Sequence, residues 1–553
     1  MSAEAVRLAL DQGRFAACAE EMGATLMRTA HSPNIKERLD HSCALFDARG
    51  RLVAQAAHIP VHLGSLPRAV AAALARGPLG PGDVVLLNDP YQGGTHLPDL
   101  TLVSPVFLGR GSARRSHRAP DFVLATRAHH ADVGGSAPGS MPLARDVYAE
   151  GLRLPPVLLM RGGRPQEDVW TLVLANVRTP DERRADLGAQ LGAHATGERR
   201  LMELTAHAGR KSHIAALQRA ARALMAYSER RVRAALRLLP RGRFAFADAL
   251  DDDGLGSRAV PIHVTLEASG GRLSVDFTGS SPQVPGPINA VEAVTCAATY
   301  YAVQCVLAGD WPINHGAFAP IEITAPAGTV VNPRPPAAVG AGNVETSQRI
   351  VDVVLGAFAR ALPDRVPAAS SGTMNNLLIG GDDPRTGRPF AYYETLAGGH
   401  GAGPGWPGQS AMQAHMTNTR NTPIEALEHA YPLRVGATRI RRGSGGRGRF
   451  RGGDGIERVL ELRAPARVTV ISDRRRTGPY GLAGGRPGAR GVNRVQSRAT
   501  RASARTLPGK FQIDLDAGAM LTVASPGGGG FGRAPRARVR RRAPPRGRYA
   551  PHD

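Results

Sequence analysis

Two short segments, Asn88-Asp-Pro-Tyr-Gln-Gly-Gly-Thr-His-Leu-Pro-Asp99 and Ala128-His-His-Ala-Asp-Val-Gly-Gly135, decide how this chain reads. Each follows an apolar run with strand character, Val84-Val-Leu-Leu87 and Phe122-Val-Leu-Ala-Thr126, and each carries paired glycines that let the backbone turn sharply. Two strands ending this way would deliver aspartates and histidines into one pocket, which is the donor chemistry of a divalent metal site. Asp89, His96, His129 and Asp132 are the first-choice ligands, with His130 and Asp99 as the nearest substitutes. The competing reading is that Asp89 caps a turn before Pro90 and that the histidines are ordinary hydrogen-bonded side chains.

Working outward, Phe15, Cys18, Met22 and Leu26 recur at helical spacing and predict a helix over residues 3–30, closed by Pro33. Residues 42–47 and 52–54, joined by Ala48-Arg-Gly50, predict a β-hairpin. A short helix follows near Leu66 to Ala75, and Arg110 to Pro120 reads as a basic surface loop. Residues 181–238, rich in Ala, Leu, Arg and Glu, predict two or three helices closed by Pro240. Strand patterns return at 262–266 and 273–277, with helices over 290–307 and 346–362. From 431 onward short strands alternate with glycine tracts read as turns, such as Gly443 to Gly446, Arg451 to Asp454 and Gly527 to Gly530. The fold class is therefore mixed α/β (α+β) and multidomain. The expected units are an N-terminal α/β region (1–180) with the metal motifs, a helical segment (181–240), a central α/β region (241–430), a β-rich C-terminal module (431–532) and a disordered basic tail (533–553). At 553 residues with 42% hydrophobic content, the chain exceeds the size at which a single core keeps growing.

The net charge of +24 does not argue for nucleic acid. Nearly all the cations are arginine, with lysine only at 36, 211 and 510, as a GC-rich coding sequence would give. Part of the excess is local, since residues 533–553 hold eight arginines and one acid. Basic patches alone support only weak, salt-sensitive binding. Cys18, Cys43, Cys296 and Cys305 show no zinc-ribbon or CxxC spacing, and neither a signal peptide nor a stretch of ~20 apolar residues is present, so a reduced cytoplasmic protein is expected. GxxxxGK[ST] and GxSxG are both missing, which argues against a self-contained P-loop ATPase or an α/β-hydrolase.

Other polar stretches are candidates for chemistry. His58 and His62 flank Ile59-Pro-Val61 and either reach the same pocket or pack as buried imidazoles. Glu37-Arg-Leu-Asp-His-Ser42 supplies a base or a substrate clamp, or is a solvated turn; Asp40, Ser42 and His62 are the candidate catalytic groups. Gly342-Asn-Val-Glu-Thr-Ser-Gln-Arg349 and Gly372-Thr-Met-Asn-Asn376, with His415-Met-Thr-Asn-Thr-Arg-Asn-Thr422, bind a polar ligand or knit domains together. Asn343, Glu345, Asn375 and Asn376 are the candidate substrate contacts.

These segments, with Ser32-Pro-Asn-Ile-Lys-Glu-Arg38, His58-Ile-Pro-Val-His-Leu-Gly64, Arg451-Gly-Gly-Asp-Gly455 and Pro526-Gly-Gly-Gly-Gly530, resemble in order the hydantoinase B family over about residues 5–532. That family comprises the B subunit of N-methylhydantoinase, the matching half of 5-oxoprolinase and related subunits of acetone and acetophenone carboxylases. The resemblance implies a division of labour. An A-type partner uses ATP and Mg to phosphorylate the substrate oxygen, and the B-type chain completes the reaction with a divalent metal, Mn, Zn or Fe, on Asp89, His96, His129 and Asp132. The implied reaction is hydrolysis of a small cyclic amide, a hydantoin or 5-oxoproline: water attacks the activated carbon, the ring C–N bond opens and phosphate leaves. Ketone carboxylation is the alternative within the family, and a non-catalytic scaffold for an ATPase partner is the alternative outside it. The chain departs from the family pattern at His41, where Phe or Tyr is expected, and in the Arg-rich tail.

Overall fold

The computed structural model describes residues 3–62, 64–109, 119–205, 210–497 and 504–534; most of the expected basic loop at 110–120 and nearly all of the tail lie outside the described residues. The N-terminal sheet has seven strands: His41–Asp47 (β1), Leu52–Ala57 (β2), Val84–Leu87 (β3), Asp99–Val106 (β4), Phe122–His129 (β5), Val157–Arg161 (β6) and Arg164–Pro165 (β7). They run in the order β2-β1-β5-β4-β3-β6-β7, antiparallel at every pairing. The expected hairpin is β1 and β2.

This sheet is covered on both faces, which is why its central strands read as unbroken apolar runs. In β5, Phe122 and Leu124 enter a core shared with the face Phe15, Cys18, Met22 and Leu26 of the helix Ala3–Thr29, whereas Val123 and Ala125 enter the larger core on the other side. Side chains that alternate along a strand reach opposite faces.

A second sheet orders Ile321–Thr324 (β11), Arg272–Asp276 (β10), Arg258–Ser269 (β9) and Gly242–Asp252 (β8), with β10 and β11 parallel. The crossover between those two strands contains the helix Glu292–Leu307, which packs against the helix Ser347–Ala361. The helical segment is two long helices, Pro180–Glu203 and Arg210–Leu236. Among the described residues no helix is long and apolar enough to cross a membrane.

Two further sheets build the C-terminal half. Asn376–Asp383 (β12) and Arg388–Thr395 (β13) join Ala466–Ile471 (β16) and Lys510–Leu515 (β19) in the order β13-β12-β16-β19. Leu433–Arg441 (β14), Gly455–Leu462 (β15), Val492–Ser497 (β17), Arg505–Leu507 (β18) and Ala519–Ala524 (β20) form the other, in the order β14-β15-β20-β17-β18. The division expected at 430/431 therefore does not separate two folded units, because β12 pairs directly with β16. The divisions expected at 180/181 and 240/241 likewise do not part separate cores: one apolar cluster holds Leu102, Leu187, Val232, Ile262 and Ile350 together. Strand pairing across such sequence distances leaves no local signal.

The late glycine tracts are not mainly turns. Their extended backbones hydrogen-bond to one another, with Gly446 N–H donating to Gly528 O (2.8 Å), Gly528 N–H to Gly453 O (2.9 Å) and Gly453 N–H to His400 O (2.9 Å). A Cβ on Gly453 would lie 1.8 Å from Gln409 O, so only glycine permits this approach.

Candidate active site and metal centre

The site begins with a register. β4 opens on Asp99, β5 closes on His129, and the two residues are directly paired across the strands. Opposed positions on one sheet face bring side chains into contact. His96 arrives from the loop before β4, which Asn88 fixes: its Nδ2 donates to Leu97 O (2.7 Å) and Leu152 O (2.9 Å), and its Oδ1 accepts from Leu154 N–H (2.7 Å).

His96 Nε2 lies 3.1 Å from Asp99 Oδ1 and 3.2 Å from His129 Nδ1, and His129 Nδ1 lies 3.3 Å from Asp99 Oδ1. All three residues are buried. His96 Nδ1–H donates to Gly340 O (3.1 Å), which turns its Nε2 toward the cluster. Asp99 Oδ2 accepts from Thr95 Oγ1 (2.5 Å) and sits 3.6 Å from His62 Nε2, while His62 Nδ1 is 3.0 Å from Ser42 Oγ. His129 stacks on Tyr393 with ring centroids 4.6 Å apart.

Burial opposes ionisation of Asp99, but the His96 charge and hydrogen bonds from His129, His62 and His96 hold its carboxyl well below the usual range. Burial likewise works against a charged His96, yet Asp99 raises its pKa. For His129 burial wins, and its pKa is lowered.

Of the four ligands expected from sequence, the fold unites His96 and His129, joined by Asp99, the named substitute. Asp89 does not reach them: its Oδ1 accepts from Tyr91 N–H (3.0 Å) and its Oδ2 from Gln92 Nε2 (3.0 Å), so it caps the 3₁₀ turn Pro90–Gln92. Asp132 does not reach them either. It accepts from the N–H groups of Gly134 (3.0 Å), Gly139 (3.2 Å) and Arg178 (3.1 Å), and from Arg178 Nη1 (2.8 Å). Both carboxylates follow strands as expected, but other donors claim them: the turn that Asp89 caps, and the backbone and Arg178 side chain around Asp132. His130, the other substitute, pairs with Gln190 Oε1 (3.1 Å) on the helix behind the sheet.

The triad fits a metal. Ligand atoms about 2.1 Å from one ion stand ~3.0 Å apart at adjacent octahedral positions and ~3.4 Å apart in a tetrahedron, and the three separations here fall in that interval. Two imidazoles and a carboxylate suit Mn, Zn or Fe and leave positions open.

Asp99 and His129 line a narrow cavity together with Asp40, His62, Asn343, Val344, Met374, Tyr393, Thr417 and Thr419. It offers about 20 Å³ to the centre of a water-sized sphere, enough for one water. Asn343 comes from a π-helical turn, Gly342–Thr346, where a Cβ on Gly342 would lie 1.9 Å from Asn289 O. Glu345 and Asn376 stand behind this wall. Asn376 Nδ2 donates to Glu345 Oε1 (2.9 Å), and Asn376 Oδ1 accepts from the Tyr393 hydroxyl (3.0 Å). Burial, with the Asp473 charge, pushes Glu345 up to about 8. Asn375 faces elsewhere, accepting from Arg475 Nη1 (2.8 Å) and donating to Leu396 O (3.0 Å). Ser42 supports His62, and Asp40 accepts the His129 N–H through its carbonyl (3.0 Å). Sequence reasoning missed Tyr393, an aromatic inside an ordinary strand pattern with no local mark of a site.

The family model for Hydantoinase B/oxoprolinase matches residues 4–534. The chain belongs to this family. Within the hydantoinase B/oxoprolinase family it is 40% identical to 5-oxoprolinase 1 of Arabidopsis thaliana over 96% of its own length, and it spans 42% of that relative. Among solved structures, ATP-dependent caprolactamase from Pseudomonas jessenii superposes with a TM-score of 0.87 at 29% identity, covering 97% of this chain and 93% of that one. Acetone carboxylase in its nucleotide-free form shares the fold, with a TM-score of 0.84 at 19% identity over 96% and 76% of the two chains.

Proposed function

We propose that this chain performs the ring-opening half of an ATP-dependent cyclic-amide hydrolysis, on a substrate phosphorylated by an A-type, ATP-binding partner. The observation that carries the reading is the buried His96, Asp99 and His129 triad, two of whose members, Asp99 and His129, line a cavity that Asn343 and Val344 of the 342–346 turn also line. The near full-length likeness to a caprolactamase supports a cyclic amide over a ketone.

A divalent ion of the Mn, Zn or Fe class on the triad would supply Lewis acidity and a hydroxide nucleophile near neutral pH. The chain's own groups do the rest. Asp99 keeps its charge at the triad, and Gly340 O fixes His96. Water adds to the carbon activated by phosphorylation, and His62, set between Ser42 Oγ and Asp99 Oδ2, carries a proton to the ring nitrogen as the C–N bond opens. The products of that step are an amine and an acyl phosphate, from which a second water releases phosphate. Asp40 and Asn343 line the cavity with room for the attacking water, and Glu345 and Asn376 hold Tyr393 against His129.

The test is co-expression with a neighbouring A-type gene, followed by assays for ATP-dependent opening of hydantoins and 5-oxoproline and for carboxylation of ketones. Ring opening that requires ATP and both chains is expected. Turnover without ATP would defeat the partner model, and ketone carboxylation would move the chain to the carboxylase branch. Full turnover by His96→Ala protein devoid of metal would leave the triad a structural cluster and favour a scaffold role.

A further inference from the structure

Glu150 closes the 3₁₀ turn Val147–Glu150 and was not marked by any pattern in the sequence. Its side chain is fully buried, and its Oε1 accepts two backbone hydrogen bonds, from Val339 N–H (2.8 Å) and Gly340 N–H (2.7 Å). Gly340 is the residue whose carbonyl receives His96 Nδ1–H. The same turn is tied to the loop after β5, where Ser136 N–H donates to Ala149 O (2.9 Å) and Leu152 N–H donates to Val133 O (2.9 Å). The carboxyl group thus holds the segment that leads into Asn343, and the backbone on either side of Glu150 is bonded to the loop after β5.

We propose that Glu150 is a positioning residue: by holding the 339–340 backbone it keeps Gly340 O on His96 Nδ1, so that His96 Nε2 faces Asp99 and His129 as a metal ligand. This inference rests on the metal reading above. Groups that orient a metal-binding imidazole through its second nitrogen change metal affinity by about 10–100-fold when lost. The task requires an acceptor and not a charge. Burial pushes the Glu150 carboxyl up to about 8, in keeping with a group that works in its neutral form. Replacing it with alanine leaves two buried N–H donors unpaired and frees Gly340 to turn away from His96.

The experiment is titration of the metal-stripped full-length chain with Mn and with Zn, read by calorimetry and elemental analysis. Glu150→Gln, which keeps the Oε1 acceptor, should bind as tightly as the parent. Glu150→Ala and Glu150→Asp should bind about 10–100-fold more weakly, with half-occupancy shifted to higher pH. Val303→Ala, a buried change in the helix Glu292–Leu307, is the control for lost stability and should keep full affinity. If Glu150→Ala and Glu150→Asp bind like the parent, or if Glu150→Gln loses the metal, the proposal is overturned. Should Glu150→Ala fail to fold, the Gln and Asp variants decide alone. A parent chain that binds no metal would overturn both this inference and the metal reading, whereas equal binding by parent and Glu150→Ala would overturn only this one.

Discussion

A carboxylate as deeply buried as Asp99 stays ionised only because imidazoles crowd it, whereas the neighbours of Asp89 and Asp132 are backbone, amide and guanidinium donors. Asp99→Asn and His96→Ala are expected to abolish metal binding, whereas Asp89→Asn and Asp132→Asn should keep stoichiometric metal while losing stability, because each serves backbone or arginine donors instead. Elemental analysis of the four purified proteins checks this, and equal loss of metal from all four would refute the assignment. His41 poses a different residue-scale question. Its ring is fully buried, and burial, with His58 and His62 beside it, lowers its pKa to about 3. The unfolded residue titrates at about 6.5, so between those values the unfolded chain binds more protons and stability is lost as the pH falls. His41→Phe should remove about 1.4 kcal/mol of the loss between pH 7.5 and 5.5. Denaturant unfolding at the two pH values tests it; parallel losses in both proteins would contradict it.

Elements deliver these residues with different degrees of sequence warning. β3 and β5 were legible because a sheet buried on both faces writes unbroken apolar runs, and the β1–β2 hairpin because its turn carries glycine. The pairing of β4 with β5 was not legible, although it sets Asp99 opposite His129 and so chooses among the candidate ligands. The π-helical turn Gly342–Thr346 was marked only by its polarity. Its geometry depends on Gly342 lying against Asn289 O. Gly342→Ala should cost about 2–4 kcal/mol through forced backbone displacement and should lower activity by moving Asn343 out of the cavity wall. Thermal unfolding with parallel assays measures both; an unchanged melting temperature would show that the turn yields more easily than its contacts imply.

At the scale of the whole molecule, the segments are fastened by buried charge as well as by the apolar core. Asp473 accepts from Arg349 Nη2 (2.9 Å) and Lys510 Nζ (2.9 Å), and Arg474 Nη2 reaches Asp248 (2.6 Å) and Asp352 (2.7 Å), linking four sequence regions. Burial raises the Asp473 pKa, but Lys510 and Arg349 overcome it and hold the group down to about 2. Asp473→Asn should cost about 3–5 kcal/mol, since it strands buried cations. Denaturant titration provides the value, and a change under 1 kcal/mol would mean that water replaces the lost partner. Because β12 and β13 complete a sheet with β16 and β19, residues 1–430 alone should unfold at a lower temperature than the whole chain, as circular dichroism during heating would reveal; an equal melting temperature would contradict it.

By itself the sequence determined the mixed α/β class, most elements, the family, and that side chains able to hold a metal are concentrated around residues 88–99 and 128–135. Apolar periodicity, helix stops and ordered motifs are local properties of the chain and survive in one dimension. Only the tertiary structure decided that Asp99 joins His96 and His129 while Asp89 and Asp132 turn to nearby backbone donors, that Tyr393 and Asn343 face the triad from distant segments, and that the late glycines pack as adjoining backbones. Those outcomes depend on strand register and on competition among nearby hydrogen-bond donors, which are settled by contacts between residues far apart in the chain.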